Sequence, residues 1–416
     1  MQNLAPALGV YISIPFCRAK CSYCNFASGV FGGERMAAYV KQLTAEVRAS
    51  SDRCVAWGGA LPEVIDSLYF GGGTPSLLEV NQLSSIVKSL NEVFSFDASA
   101  EITLECAPGQ LTDELLQALP GFGFNRVSLG VQSFVDHEAV AVGRLHTRAI
   151  TLKEIDRLRA AGIDDINVDL IAGLPHQTRQ SWSESISQAI ATGVPHLSVY
   201  MLDVDEDSRL GREIIAGGTR YGVGMVPNES AIADMYTEAC EQFAAAGVAQ
   251  YEISNFARAG HRSRHNLKYW TRLPYLGFGL DAHSFLPTTG GEAIRIATTD
   301  DLTAYLVPNV SDAESETVTR VSSSEALEEA WFLGLRLNEG VSLTRIAEDF
   351  GESALRAFEP ILNQAQQQGL MEYDQHRARL TAQGRLFAND VFQRFLGVVT
   401  PHEDASKPIQ EQGVFA

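Results

Sequence analysis

The sequence predicts an α/β fold: a partial, six-unit parallel β/α barrel of the TIM type, followed by a smaller, mainly α, winged-helix-like C-terminal domain. Three observations predict it. Short β-type apolar runs alternate with amphipathic helical segments along residues 10–201, the pattern of parallel strands joined by crossover helices. Polar and glycine-rich residues gather where those strands end, which is where β/α barrels build their sites. After Asp300 the rhythm changes to three helices and a hairpin.

Taken in order, Val10 to Ile14 is the first strand, and a polar loop carrying Cys17, Cys21 and Cys24 follows it. Met36 to Ala49 has apolar positions recurring at three and four, a helical period. Val64 to Phe70 reads as a strand that stops abruptly at Gly71-Gly72-Gly73-Thr74-Pro75-Ser76, before a helix from about Glu79 to Val93. The unit then recurs: strand Ala100 to Glu105 with helix Leu111 to Leu119, strand Arg126 to Val131 with helix Ala149 to Ala161, strand Asp165 to Ile171 with helix Gln180 to Ala191. His196 to Met201 is the sixth strand. Between Asp203 and Arg264 the pattern loosens around one helix, Asn228 to Ala246. The stretch YEISNFARAGHRSRHNLKYW that follows is polar, aromatic and basic in an otherwise acidic chain. Glu325 to Asn338, Ser342 to Phe350 and Glu352 to Gly369 read as helices, with Ser342 an N-cap. Met371 to Tyr373 and Arg377 to Leu380 form a small hairpin, and Ala382 to Leu396 a last helix. The expected division is a barrel over 1–225, an extension over 226–304, a C-terminal domain over 305–398 and a disordered polar tail over 399–416.

At 416 residues, 45% hydrophobic and 20% charged, the composition is that of a water-soluble globular protein. A formal net charge of -19 argues against nucleic acid as a partner, because phosphate binding needs a basic surface. The would-be recognition helix of the winged-helix-like end agrees, since it carries Glu352, Arg356 and Glu359. No basic-then-apolar leader and no long apolar run occur, so neither a signal peptide nor a membrane span is expected and the expected location is cytoplasmic. Peripheral membrane contact stays open.

The cysteines carry the sharpest chemistry. Cys17, Cys21 and Cys24 stand in C-x3-C-x2-C spacing, a set of soft thiolates that can hold three irons of a four-iron cube and leave the fourth open. A structural zinc site would want a fourth ligand at suitable spacing, and none follows. Cys54, Cys106 and Cys240 are scattered and read as ordinary buried or half-buried thiols.

Ten segments together carry a resemblance: YISIPFCRAKCSYCNF, YFGGGTPS, ITLECAP, RVSLGVQSF with GRLH, NVDLIAGLPHQT, HLSVYMLD, YEISNFA, HNLKYW, YLGFG and LGLRLNEGV. They resemble the radical S-adenosylmethionine (SAM) superfamily, in the branch related to oxygen-independent coproporphyrinogen III oxidase. Within the branch the chain looks most like the haem chaperones. The oxidase has a further cysteine where this chain has Phe26, and a long extension where only 16 residues precede Cys17; His265-Asn266-Leu267-Lys268-Tyr269-Trp270 matches the chaperones' H-N-x-x-Y-W motif. One departure is Asp281-Ala282-His283-Ser284, where the chaperones read G-A-H-S.

The resemblance implies that Cys17, Cys21 and Cys24 bind a [4Fe-4S] cluster and that Tyr11 and Tyr23 line the SAM site. Gly72, Gly73 and Thr74 would admit backbone close to the methionine amino group, and Glu105 would accept hydrogen bonds from a ribose or amine. Gln132, Arg144 and Asp169 match positions that contact a second SAM in the oxidase. His265 is the expected haem ligand, with Tyr269 and Trp270 over the macrocycle and Arg262, Arg264 and Lys268 toward its propionates. The expected function is a haem chaperone passing haem to acceptor proteins, with a reductant for the cluster and a homodimer left open. The alternative is oxidative decarboxylation of coproporphyrinogen.

Overall fold

The computed structural model describes residues 7–307 and 316–398, so the tail expected over 399–416 lies outside the described residues. The chain divides into two compact units, Met1–Arg320 and Val321–Ala416. The six expected strands are all present: β1 (Leu8–Ile14), β2 (Val64–Gly72), β3 (Ser95–Cys106), β4 (Arg126–Gln132), β5 (Asp165–Ala172) and β6 (His196–Met201). They lie side by side in that order, and every neighbouring pair is parallel.

The sheet extends beyond the six units at both ends. On the β1 side a further parallel strand, Tyr275–Phe278, pairs Val10 with Leu276, and the antiparallel strands His283–Pro287 and Ala293–Thr298 follow it. Beyond β6 lie Asn255–Ala257 and Ala249–Gln250, both antiparallel. Period alone misses these strands. They are short, and Tyr275–Phe278 is buried at every position, so no polar alternation marks it.

Alternation sets the register of the parallel strands. In β1, Leu8, Val10, Ile12 and Ile14 are fully buried toward the helical layer, while Gly9, Tyr11 and Ser13 take the opposite face. The same holds for Leu68 and Phe70 against Ser67 and Tyr69, and for Val127 and Leu129 against Arg126 and Ser128. Each buried aliphatic contributes about 1.5–3 kcal/mol, so a one-residue slip that turned Tyr11 and Ser13 outward would cost several such terms. The helical layer supplies matching faces. α1 (Gly33–Trp57) buries Tyr39, Leu43 and Val47, α2 (Val80–Val93) buries Leu83, Ile86 and Leu90, and Arg179–Ala191 buries Trp182 and Ile186.

α1 is longer than the expected Met36 to Ala49. Its polar second half runs on to a left-handed Gly58 cap that accepts no further helix. The loose region also holds a short helix over Arg209–Ile215 beside the expected one, which spans Glu229–Ala245.

The C-terminal unit has helices over Ser323–Gly334, Leu343–Phe350 and Glu352–Gln367, then the hairpin Met371–Tyr373 with Arg377–Leu380. Ser342 is an N-cap as expected, its hydroxyl accepting from the Arg345 amide. Its core stacks Trp331, Phe358 and Phe395. The expected last helix is broken at Phe387 into Ala382–Leu386 and Ala388–Gln393.

Asp281 stands in a left-handed conformation, φ 53°, just past the strand Tyr275–Phe278. Glycine suits that geometry, and aspartate is among the few side chains that tolerate it. Asp281→Gly is therefore expected to stabilise the chain by about 0.5–1 kcal/mol, and Asp281→Val to destabilise it by more than about 1 kcal/mol, in urea or thermal denaturation.

Candidate cluster and cofactor site

The cysteine loop leaves the C-terminal end of β1 and is closed on itself. The Cys17 amide donates to Gly29 O at 2.8 Å and the Gly29 amide to Pro15 O at 2.9 Å. The Lys20 ammonium spans the loop, donating to the Phe26 and Ser28 carbonyls at 2.5 and 3.0 Å. From outside, the Ser22 amide is held by Val142 O at 3.1 Å, and Ser22 O accepts from the Leu210 amide at 2.8 Å.

The Gly71–Ser76 turn at the end of β2 sits directly beside it. The Gly73 amide donates to Ile14 O at 2.9 Å and the Thr74 amide to Phe16 O at 2.8 Å. A Cβ on Gly73 would lie 2.8 Å from both of those carbonyl oxygens, so only glycine fits. The Thr74 hydroxyl points at Cys17 Sγ, 3.8 Å away.

Arg144 approaches from the other side. It is half-buried, with one guanidinium nitrogen 3.6 Å from Cys21 Sγ and another donating to Gly130 O. The thiols of Cys17, Cys21 and Cys24 are electrostatic neighbours, and burial pushes the Cys17 thiol up in its bare state. Among the described residues no three His, Cys, Asp or Glu side chains surround a single ion position. Soft sulfurs set apart on one loop, with a cation and a hydroxyl already directed at two of them, fit an iron–sulfur cube that takes one thiolate per iron.

Behind the loop the barrel interior is polar. The Tyr69 hydroxyl donates to Glu105 Oε1 at 2.9 Å, and burial raises the Glu105 carboxyl to about 7. Asp169 is also pushed up by burial, against donation from Ser198, Asn167 and Ser128. The Ser128 and Asn167 bonds measure 3.0 and 2.7 Å. Gln132 closes β4 at φ 69°, a strained conformation for a non-glycine residue, and its buried Oε1 has no hydrogen-bond partner. Tyr11 stacks on Tyr69 with centroids 6.1 Å apart. Tyr23 packs against the Val142, Ile171 and Leu174 cluster, its hydroxyl pushed well up by burial and then by Cys21. Cys17, Cys21, Cys24, Tyr11, Tyr23, Gly72, Gly73, Thr74, Glu105, Gln132, Arg144 and Asp169 thus converge on the strand C-terminal ends and the adjoining interior.

His265 lies beneath them, its ring stacked against Tyr11 with centroids 6.4 Å apart. Its helix, Arg264–Trp270, lies at the opposite end, under the beginnings of the strands, where Glu101 accepts from the Arg264 and His265 amides at 2.9 and 3.0 Å. The imidazole is 1% exposed, with Nδ1 3.1 Å from Ser67 Oγ and Nε2 2.8 Å from the Tyr269 hydroxyl. Burial, then Lys268 and Arg126, lower it to about 3, so it is neutral. In this arrangement both nitrogens of His265, the expected haem ligand, have hydrogen-bond partners. The basic neighbours are engaged as well: Lys268 pairs with Asp66 at 2.6 Å, Arg264 donates to Ser99 O at 2.9 Å, and Arg262 lies over the Tyr251 ring.

The interior residues Ser67, Tyr69, Arg126, Ser128, Asn167, His196 and Ser198 were not foreseen as a site lining. Their signal is the polar half of each strand's alternation. Asn167 links His196 at 2.7 Å, and His196 links the Tyr251 hydroxyl at 3.0 Å, a buried chain from β5 to the segment before Arg264–Trp270, the helix that plugs the lower end of the barrel.

Comparison with known proteins agrees with this fold. The Radical SAM superfamily model matches residues 11–189, and the HemN C-terminal domain model matches residues 321–387. The chain is 34% identical over 391 residues to the heme chaperone HemW of Bacillus subtilis, covering 93% of this chain and 98% of that protein. To the heme chaperone HemW of Escherichia coli it is 28% identical, covering 94% and 98%. Among solved structures, the radical SAM enzyme coproporphyrinogen III oxidase (HemN) from Escherichia coli superposes with a TM-score of 0.76 at 23% identity, over 95% of this chain and 91% of that one. It is similar in fold.

Two outcomes follow from the geometry. Gly73→Ala is expected to prevent stable retention of iron and sulfide after anaerobic reconstitution and to lower stability by at least about 2 kcal/mol, since the clashing partners are backbone oxygens that cannot move aside. Glu105 favours its protonated form when folded, so its contribution to stability is present below about 4.5 and lost as pH rises through about 7. Wild type should lose stability relative to Glu105→Gln across that window, at up to ~1.4 kcal/mol per pH unit, in paired denaturation series.

Proposed function

We propose that this chain, which belongs to the HemW family of radical SAM haem chaperones, binds haem and delivers it to acceptor proteins, and that it carries a [4Fe-4S] cluster and SAM at the barrel's C-terminal mouth. The observation that supports it most is the three-thiol loop with Arg144 and Thr74 aimed at its sulfurs, in a chain 34% identical to a haem chaperone across 98% of that relative. Bound there, a cluster would supply an electron and an open iron for the amino and carboxylate groups of SAM.

The chain's own residues do the rest. Gly72, at φ 98°, and Gly73, pressed on the Ile14 and Phe16 backbone, hold the turn beside the cysteine loop, where its backbone would meet a ligand's amino acid portion. Glu105, titrating at about 7, changes between donor and acceptor near neutrality and so can take an ammonium as a carboxylate. Arg144 stays cationic and offsets thiolate charge. Gln132 and Asp169 present polar atoms on the neighbouring strands, where one further polar ligand would be held.

Haem ligation by His265 would require the helix Arg264–Trp270 to unseat and the hydrogen bond at the ligating ring nitrogen to break, while the other nitrogen could keep its partner. In the sealed state His265→Ala is expected to lower stability by about 3 kcal/mol, through a cavity and two stranded hydroxyls, and to leave the Soret band of bound haem unchanged. A shifted Soret band in that variant would mean that the plug opens and that the imidazole is the iron ligand. The chaperone reading itself is tested by anaerobic incubation of the reconstituted, reduced protein with haem and, separately, with coproporphyrinogen. Saturable haem uptake without protoporphyrinogen above a no-protein control is expected. Protoporphyrinogen formation would assign the oxidase reaction instead.

A further inference from the structure

A cavity of about 430 Å³ opens on the outer side of the cysteine loop, lined by Cys24, Val30, Asp207 and three cations, Lys20, Arg209 and Arg212. The cations are not spent on carboxylates. Lys20 donates only to the Phe26 and Ser28 carbonyls and the Ser28 hydroxyl, at 2.5, 3.0 and 3.4 Å, and Arg209 donates to Lys20 O at 3.2 Å. Arg212, exposed at the rim, has no side-chain partner among the described residues. The nearby Asp205 carboxylate is turned to the Asn25 amide at 2.9 Å, leaving Asp207 as the one acidic group lining the cavity. Three cations therefore gather beside the one lining carboxylate, Asp207, in a concavity, on a chain of net charge -19. Phe26 and Val30, each 61% exposed, stand on the same loop.

We infer that this cavity holds the two propionate carboxylates of haem, with the edge of the macrocycle resting on Phe26 and Val30. The assignment rests on the haem reading above and names the seat of that cargo. An anionic edge matches this cation-lined cavity, and guanidinium groups bind carboxylates through paired N–H donors. A cavity of this size admits a small ligand's side chains, whereas the flat face of an acidic protein would touch only its rim. The exposed apolar pair suits a ligand that is charged at one edge and apolar across its plane. Because Arg209 also bonds the Lys20 carbonyl, the anion seat and the cysteine loop share a hydrogen bond, which couples cargo to the state of that loop.

The test is an anaerobic optical titration of the full, reconstituted chain with haem and with haem dimethyl ester, which lacks the propionate charges. For wild type, haem should bind at least about tenfold tighter than the ester. Arg209→Gln combined with Arg212→Gln should weaken haem by about 10–100-fold and leave the ester unchanged. Iron content equal to wild type confirms an intact loop, and Arg179→Gln, remote on Arg179–Ala191, should bind as wild type does. Equal affinity of haem and ester for wild type, or unchanged haem affinity in the double variant, overturns the inference. A wild-type chain that takes up neither tetrapyrrole overturns the haem reading instead.

Discussion

The close approach of two backbones at Gly73 is the contact on which the site depends. The Gly73 and Thr74 amides reach Ile14 O and Phe16 O, and with them the turn after β2 is fastened to the residues just before the first cysteine. No side chain fits there. Cys17, Thr74 and the backbone of Gly72 are thereby placed by hydrogen bonds between rigid strand ends rather than by a free loop. Arg144 completes the frame from β4's side, since its guanidinium joins Gly130 O to Cys21 Sγ.

A polar barrel interior needs support of its own, because buried polar groups cost free energy unless each finds a partner. The chain meets this with a column that runs from one end of the barrel to the other. At the lower end Glu101 and Ser263 cap the plug helix, and His265 joins Ser67 to Tyr269. Above it Tyr69 lies on His265 with centroids 5.3 Å apart and passes its hydroxyl to Glu105 at the upper end. The H-N-x-x-Y-W motif in this state is thus the floor beneath the site, and the cysteines are its roof. Glu105 is the group that both ends influence: burial raises it, and the tyrosine bond partly lowers it again.

Much of this was legible in the sequence, for identifiable reasons. Strands β1 to β6 declare themselves because each is bounded by a helix of different period, and the cysteine spacing, the glycine turn and the strand-end residues Glu105 and Gln132 are local signals. What escaped is non-local. Tyr275–Phe278 becomes a strand only because β1 offers an open parallel edge, which no window around those four residues can report. The surroundings of His265 are non-local in the same way: its residue type and motif suit a metal, and only the fold reveals that Ser67, on β2, lies against one nitrogen and Tyr269 against the other. Lys268, a long cation in a basic stretch, proves to be 2% exposed and paired with Asp66. The cavity at Lys20, Arg209 and Arg212 joins segments some 190 positions apart, as in the bond from Arg209 to Lys20 O, and is invisible before folding.

The proposed site requires Cys17, Cys21 and Cys24 to hold a cube whose fourth iron is open to SAM at the barrel mouth. Electron paramagnetic resonance of the anaerobically reconstituted, reduced protein, recorded before and after addition of SAM, tests it most directly. A reduced [4Fe-4S] signal whose g-values shift on SAM addition is the predicted result. A signal indifferent to saturating SAM, or the absence of any four-iron signal in a protein that retains its fold, would contradict the account.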